Sequence, residues 1–265
     1  MHHLELRGNI PRKKFIILTV IGTIAMLVIW HLVTIIFKMS PGIFPSPIKV
    51  LMAFPELHFD DALVRNAVYS VKLNLLGISL AFLTALPLGF FIGLIPEARG
   101  LLERQISVFR YLPLTILIGV FISWFGFSDM MKVSFLAFGI FVYLLPTIIQ
   151  RVFDVQDVYV QTAKTCGAVN WQIVRTVFFP DVISKTFDDV RILAPISWTY
   201  IIIAEMINNT GGMGALAYIA GRQSRADKAF AILLTIIIIA VVLDQIFLYV
   251  DKTLFRHKYA TKGGK

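Results

Sequence analysis

Charged residues and cysteine are both scarce in this chain of 265 residues. Charged residues make up 15% of it and hydrophobic residues 57%, whereas soluble domains carry roughly a quarter charged residues. The single cysteine, Cys166, excludes a disulfide bond within the chain. The five histidines form neither an H-x-x-x-H pattern nor a Cys/His pair, so the sequence predicts no metal site.

Catalytic constellations are lacking as well. An intramembrane hydrolase would need a Ser/His, paired-Asp or H-E-x-x-H arrangement, and His31 in the first apolar run has no visible partner of that kind. The chain also lacks a G-x-x-x-x-G-K-[ST] loop, so it cannot hold ATP in that way itself. The sequence therefore predicts no catalytic residue.

Long apolar runs dominate the chain instead. A run of about 18 or more apolar residues can cross a bilayer as a helix, and the first such run is too long for a signal peptide. The predicted fold class is all-α, a polytopic membrane protein in one domain, 1–265, with an N-terminal span at 15–37 and a core at 65–250. We predict six spans, at residues 15–37, 73–95, 111–127, 133–150, 192–221 and 229–250.

Basic residues predict the orientation of these spans, because Lys and Arg are enriched in the cytoplasmic loops of membrane proteins. Most of the 25 basic residues fall in segments that lie on one side of a six-span chain. These segments include both termini and the long loop 151–191, which we therefore expect to be cytoplasmic. The formal charge of +9 is then a signal of topology, and no nucleic acid is needed to explain it.

Two local patterns concern helix ends and helix packing. Ser46 and Pro47 form a favourable N-cap and first helical residue. Ala85, Gly89 and Gly93 recur every four residues, a stripe of small residues that lets another membrane helix approach closely.

The long polar loop has the pattern of a helix, a turn and a second helix. Asp157 is the predicted N-cap of a first helix with residues 158–166 as its body, and Gly167 stands where a left-handed residue commonly follows a helix. Asn170 is the predicted N-cap of the second helix, and Pro180 is expected to end or redirect the chain. Because a simple connection needs only a few residues, this ordered length favours docking against a soluble partner. An amphipathic helix lying on the membrane surface is the alternative.

Within this loop, the sequence QTAKTCGAVNWQIVRTVFFP resembles the cytoplasmic loop of ABC-importer permeases, which has E-A-A, three residues, G, nine residues and I-x-L-P. Residues 161–163 stand at E-A-A, Gly167 follows after three intervening residues, and residues 177–180 stand at I-x-L-P. The spacing is complete, although Gln161 and Thr162 replace the Glu and the first Ala, and Val177 and Phe179 replace the Ile and the Leu.

Further short segments resemble the sulfonate, taurine and nitrate branch of these permeases, in the same order along the chain. They are Phe44-Pro45-Ser46-Pro47 at L-P-S-P, Arg110-Tyr111-Leu112-Pro113 at R-x-L-P, Trp124-Phe125-Gly126 at W-F-G, Ala204-Glu205-Met206 at A-E-M and residues 211–214 at G-L-G. The resemblance covers about residues 40–255.

This resemblance implies a type I ABC importer transmembrane fold in a bacterial cytoplasmic membrane. It implies as partners a second permease copy, two ATP-binding-cassette ATPase subunits that hold ATP and Mg, an extracytoplasmic substrate-binding protein and the lipid bilayer. A short coupling helix around residues 163–167 would sit in a groove of the ATPase. The residues that the resemblance assigns to ATPase coupling are Gln161, Thr162, Ala163, Lys164, Gly167, Val177, Phe179 and Pro180. The substrate would be a small polar solute such as a sulfonate, taurine, nitrate or a vitamin precursor.

Polar residues inside the spans are candidates for a gate or a substrate pathway. An ionisable group in a membrane span is costly and is usually paired or facing water. For Glu205, two interpretations stay open: a role at the outer gate or binding-protein contact, or an ion pair with Lys132, Arg222 or Arg225. Asp244 is expected to be a salt-bridged or snorkelling anchor. The pathway candidates besides Glu205 include Asn74, Ser197, Ser79, Thr84, Thr115, Ser123 and Thr199.

Two other transport classes remain as alternatives. A secondary transporter would be expected to show recurring intramembrane charges or inverted repeats, and the chain has only two deep acids and no convincing repeat. The membrane subunit of an energy-coupling vitamin importer would be expected to carry an Ala-Arg-Gly-like pattern, which the loop does not contain.

Overall fold

The computed structural model describes residues 10–208, 210–256 and 258, and these residues are almost entirely helical. They form eleven α-helices, and a π-helical turn, Val174–Phe178, joins α8 to α9. The helices are α1 (Arg12–Ile36), α2 (Pro47–Phe59), α3 (Leu63–Leu94), α4 (Pro96–Phe109), α5 (Leu114–Phe125), α6 (Asp129–Phe153), α7 (Asp157–Thr165), α8 (Asn170–Ile173), α9 (Phe179–Ile207), α10 (Met213–Arg222) and α11 (Ala226–Leu254). The predicted all-α fold class is confirmed, and the assignment of the whole chain to one domain stays a prediction.

Among the described residues, five helical runs are long and apolar enough to cross a membrane. They are α1, α3, α6, the continuous run Asn170–Ile207 that contains α8 and α9, and α11. The pair α4 and α5, bent by 101°, makes a sixth if it is counted as one broken span. The predicted number of about six is confirmed, with two corrections to where the spans lie.

The third predicted span, at 111–127, is not one membrane-crossing helix. Its helix α5 has 12 residues, about 18 Å at 1.5 Å per residue, which is too short for a hydrocarbon core of about 30 Å. The chain turns at residues 110–112, and Pro113 follows as the N-cap of α5. A crossing at this position would therefore have to be shared by α4 and α5, which are bent by 101° relative to each other.

The fifth predicted span, at 192–221, is also wrong in its extent. The helix α9 ends at Ile207, and α10 is a separate element. Gly211 and Gly212 have φ of +133° and +100°, values in which a helix cannot continue and which glycine tolerates best.

The core forms where α3 packs along α6. A Cβ added to Gly89 would lie 2.4 Å from Ile148, and one added to Gly93 would lie 2.8 Å from Val152, while Ala85 is fully buried. The small-residue stripe therefore brings the two helices together, as the sequence predicts.

The first helix is attached to the rest of the bundle mainly through one tryptophan. α1 has no buried residue. Trp30 packs against Phe44 and Phe230 at ring-centroid distances of 6.2 and 5.7 Å, and its indole N–H donates to the Pro45 carbonyl at 3.1 Å. The predicted cap of α2 is confirmed, because the Ser46 side chain accepts from the Lys49 N–H, with proline at the first helical position.

One end of the bundle, which we call the α2 end, contains α2, α10 and the start of α11. Arg225 forms a bidentate ion pair with Glu56, with Nη2 and Oε2 at 2.8 Å, and Lys228 contacts Asp61 at 2.6 Å. Hydrogen bonds from Arg225 and Lys228 lower the pKa of Glu56 to about 2. These contacts fasten α2 to the turn between α10 and α11.

The opposite end, which we call the coupling end, contains α7 and α8.

A further ion pair joins α9 to α11. Arg191 on α9 binds the carboxylate of Asp244 on α11 through two nitrogens, with one N–O distance of 2.7 Å. Asp244 is thus a salt-bridged anchor, as predicted.

Candidate functional site

Residues 157–180, which we call the coupling segment, protrude at the coupling end. Only Ile173 is buried in this segment. Apolar side chains nevertheless stand in the open, among them Val158, Val169 and Trp171, the last with 72% of its surface exposed. Large apolar side chains exposed on a polar segment are typical of an interaction surface.

The turn inside the coupling segment is a Schellman motif. Gly167 has φ +80°, the Gly167 N–H donates to the Lys164 carbonyl at 2.9 Å, and the Ala168 N–H donates to the Ala163 carbonyl at 3.0 Å. These two bonds satisfy carbonyls that a helix end leaves free. The predicted left-handed role of Gly167 is confirmed, and a Cβ at this position would meet nothing within 4 Å.

The helix boundaries differ from the predicted ones by a few residues. α7 ends at Thr165, so residues 163–167 are the end of a helix and the turn after it, not a helix of their own. Asp157 and Asn170 are first helical residues rather than N-caps. The Gln172 side chain accepts from the N–H of residue 169 at 2.9 Å and so provides the capping contact expected of Asn170.

Pro180 does not end or redirect the helix, contrary to the prediction. It lies in the first turn of α9, directly after the π-helical turn 174–178. In a regular α-helix its ring would clash with the carbonyl four residues earlier. A widened π turn accommodates such a disruption and lets the helix continue, so one helical run leads from the coupling segment into the membrane.

The predicted coupling residues all lie on this segment. Thr162 donates its hydroxyl to the Val158 carbonyl at 2.7 Å, and the Phe179 ring lies 5.9 Å from Phe90 on α3. The exposed members are Gln161, Thr162, Lys164, Gly167, Phe179 and Pro180, and the half-buried ones are Ala163 and Val177. Their role in coupling stays a prediction.

An ion pair that the sequence analysis missed fixes the base of the segment. Arg151, near the end of α6, binds the buried Asp189 of α9 through Nε at 2.8 Å and Nη2 at 2.7 Å. Its Nη1 reaches Asp154 at 3.2 Å. The opposite charges of Arg151 and Asp189 are the only feature of the sequence that could have indicated this pair. The separation of 38 residues between them leaves many other pairings equally possible.

A second polar cluster, the Glu205 centre, lies at the α2 end and consists of Asn66, Ser70, Glu205, Gly212 and Gly214. The fully buried Glu205 carboxylate accepts the Ser70 hydroxyl at 2.7 Å and the Gly214 N–H at 2.9 Å. Asn66 Oδ1 accepts the Gly212 N–H at 2.8 Å. Side chains of α3 and α9 thus satisfy backbone N–H groups at the start of α10, which a helix leaves unpaired.

The Glu205 centre has room only for glycine at two positions. A Cβ on Gly212 would lie 2.2 Å from Glu205 Cδ, and one on Gly214 would lie 2.3 Å from the carbonyl oxygen of Ile202. The loop before α10 therefore lies directly against α9.

Of the three basic partners considered for Glu205, Arg222 and Arg225 bind elsewhere, and Lys132 interacts with Glu205 electrostatically without a direct contact. Arg225 binds Glu56 and Asp227 instead, and Arg222 lies over the Tyr218 ring. The third basic candidate, Lys132, is fully buried, and its ammonium donates to the Tyr69 and Thr210 hydroxyls. The hydrogen-bond partners of Glu205 are a hydroxyl and a backbone amide, and neither has a charge to mark it in the sequence.

Asn74 and Ser197 meet between α3 and α9, with Ser197 Oγ 3.0 Å from Asn74 Oδ1. Both are buried, and the Asn74 Nδ2 has no hydrogen-bond partner in the part of the chain that the structure describes. Thr115, Ser123 and Thr199 are exposed on α5 and α9. The structure thus brings Asn74 and Ser197 together inside the protomer, while Glu205 belongs to a separate cluster.

A solved transporter structure has a similar fold. The methionine ABC transporter MetNI, in an inward-facing conformation, has a chain that aligns with 74% of this chain over 95% of its own length, with a TM-score of 0.59 and 18% sequence identity. This likeness concerns the fold, which is that of a type I importer membrane subunit.

Sequence comparison then gives the family. The model of the family described as binding-protein-dependent transport system inner membrane component matches residues 85–256, and the chain belongs to this family. The taurine transport system permease protein TauC of Escherichia coli is 28% identical over 92% of this chain and 90% of its own. SsuC of Bacillus subtilis, which is named as an aliphatic sulfonates transport permease, is 21% identical over 90% of this chain and 86% of its own.

The chain is therefore the permease subunit of an ABC importer, a non-catalytic, multi-pass membrane component without a cofactor of its own. Such permeases work with an ATPase and a substrate-binding protein. The resemblance predicted from short motifs is confirmed at this level.

Proposed function

We propose that two copies of this permease form the pathway for a small polar solute, in the first place a sulfonate such as taurine. The names of TauC and SsuC support this substrate class. Nitrate and vitamin precursors are the other candidate solutes. The ATP and Mg of the cycle are held by the partner ATPase subunits.

In this proposal the coupling end faces the cytoplasm, together with both termini, and the α2 end faces outward. The distribution of Lys and Arg supports this orientation. The binding protein then delivers substrate at the α2 end, close to the Glu205 centre.

The coupling segment is the contact for the ATPase. Its exposed turn and the apolar side chains at positions 158, 169 and 171 offer a surface for a soluble partner, and the Arg151–Asp189 pair keeps the base of the segment rigid. ATP binding favours closed ATPase subunits, and a rigid segment passes this preference to the membrane helices as a shift in population.

One observation carries this proposal: the helical run Asn170–Ile207 continues without interruption for 38 residues. It begins inside the coupling segment and ends two residues beyond Glu205. A displacement at the ATPase contact therefore moves this single helical run, and the run moves the loop that Glu205 binds through the Gly214 N–H. Glu205 is the proposed positioning residue of the outer gate, and Asn74 and Ser197 reach the pathway when α3 and α9 separate.

Substitution at Gly167 tests the coupling. In a reconstituted complex with its ATPase and binding protein, we expect Gly167→Asp to abolish substrate-stimulated ATP hydrolysis and transport, because a side chain and a charge enter the contact. Gly167→Asn is the matched control, since Asn and Asp have nearly the same size and both tolerate the left-handed conformation, whereas only Asp adds a charge.

Asparagine should therefore retain more coupling than aspartate at the same position. Unchanged transport by Gly167→Asp would remove this turn from the mechanism.

Replacement of residues 158–176 by a flexible linker should abolish capture of the ATPase by the tagged permease. Uptake of radiolabelled taurine, with nitrate as competitor, separates the candidate substrate classes.

A further inference from the structure

A polar cavity of about 300 Å³ lies between α4 and the end of α6. Its volume is at the lower limit of small-molecule sites, which span roughly 300–1,000 Å³. The polar side chains around it are Glu103, Ser107, Arg110, Thr147, Gln150 and Arg151.

Several hydrogen-bond donors around this cavity have no acceptor within the described part of the protein. Arg110 has no carboxylate within 4 Å among the described residues, so its guanidinium is available to a ligand. The Ser107 hydroxyl has no partner in the described part of the chain either. An arginine has five N–H donors, and Arg151 uses its Nε, Nη1 and Nη2 each once in its bonds to Asp189 and Asp154.

The positive charge available to an anion at this cavity is that of Arg110, because Arg151 already binds the carboxylates of Asp189 and Asp154. Glu103 is the only carboxylate among the described lining residues, and Arg99 binds it at 2.6 Å. The charge of Glu103 is therefore compensated from within α4, whereas Arg110 has no such compensation. A planar guanidinium binds sulfonate and carboxylate oxygens in pairs, which gives such contacts both strength and direction.

We propose that this cavity binds a small organic anion of the sulfonate or carboxylate type, with Arg110 as its main charged contact. The orientation used here rests on the proposed function and places the cavity on the cytoplasmic side, where an imported anion accumulates. The ligand also contacts α6 beside Arg151, which ties α6 to α9 at the base of the coupling segment. Occupancy therefore restrains α4 against α6 and slows ATP-driven transport as the cytoplasmic anion rises.

Binding is measured on the permease–ATPase complex in nanodiscs, without nucleotide and without the binding protein, with ethanesulfonate as the probe. We expect saturable binding that Arg110→Gln weakens by about tenfold or more, because a charge-assisted bidentate contact is lost. Arg104→Gln is the matched control, since Arg104 is exposed on α4, the helix that Arg110 directly follows, and does not line the cavity. It should bind ethanesulfonate as the wild type does.

Several results would overturn this assignment. Equal affinity in Arg110→Gln and wild type would exclude the cavity as the site. Inorganic sulfate that binds as tightly as ethanesulfonate would exclude an organic anion as its specific ligand. Binding to the isolated permease but not to the complex would mean that the ATPase covers the cavity, which contradicts a regulatory role.

The effect on the transport cycle is measured as ATP hydrolysis in proteoliposomes, with ethanesulfonate added on the side of the ATPase. The rate of ATP hydrolysis should fall as the ethanesulfonate concentration rises in the wild type and in Arg104→Gln. The rate should stay constant in Arg110→Gln. A fall of equal size in Arg110→Gln would contradict the proposal. The Gly167 experiment needs no ligand in this cavity, so the failure of one proposal is distinguishable from the failure of the other.

Discussion

The coupling segment and the Glu205 centre lie at opposite ends of one helical run and are held in opposite ways. The turn of the coupling segment is shaped by its own backbone: a left-handed glycine and two main-chain hydrogen bonds fix it, and its side chains are largely exposed. The Glu205 centre depends on side chains from α3 and α9 that are distant in sequence and meet in the interior. This difference indicates that one end is built to be contacted and the other to be held in place.

The comparison predicts that substitutions at the Glu205 centre affect stability, whereas those at the coupling segment affect coupling. The strongest test is Gly214→Ala. The new Cβ would lie 2.3 Å from the Ile202 carbonyl oxygen, and overpacking against backbone costs typically up to about 3 kcal/mol. Thermal unfolding of the purified permease should show a large decrease in Tm.

Gly221→Ala provides the matched control for that substitution on the same helix. A Cβ at Gly221 meets nothing within 4 Å, and alanine is favoured over glycine inside a helix by about 0.5–1 kcal/mol. Its Tm should be unchanged or higher. Similar destabilisation by both substitutions would show that α10 does not lie against α9 as described.

The next largest effect is expected for Glu205→Ala. It leaves the Gly214 N–H and the Ser70 hydroxyl without their acceptor, and an unpaired buried group costs about 1–3 kcal/mol. Glu205→Gln keeps one acceptor oxygen and should lose less. A wild-type Tm in Glu205→Ala would contradict the role assigned to this carboxylate.

The smallest effect on stability is expected for Gly167→Ala. No neighbour obstructs the new Cβ, so the cost is that of a left-handed backbone alone, about 1 kcal/mol. The Tm should fall only slightly. A fall as large as that of Gly214→Ala would mean that the turn is packed rather than exposed, and the contrast between the two ends would disappear.

The sequence was sufficient for features that depend on neighbouring residues. Gly167 could be placed from turn chemistry, Ser46 from capping chemistry, and the contact of α3 with α6 from the spacing of Ala85, Gly89 and Gly93. Each of these uses interactions within a few residues or the period of one helix.

Features that depend on tertiary contacts could not be predicted in the same way. Ser70 and Glu205 are 135 residues apart, and nothing in either segment indicates the other. Pro180 was misplaced because a π-helical turn absorbed a residue that usually breaks a helix. The hydropathy of residues 111–127 predicts one helix, because hydropathy contains no information about the bend of 101° between α4 and α5.

The central claim is that the coupling segment faces the cytoplasm and contacts the ATPase, and the only cysteine of the chain tests it directly. Cys166 is exposed at the turn, so a membrane-impermeant maleimide needs no engineered site, and Cys166→Ser supplies the background. We predict labelling in inside-out vesicles stripped of the ATPase, protection when the ATPase is added back, and no labelling in spheroplasts. Labelling from the outer side, or labelling that the ATPase does not reduce, would contradict the account.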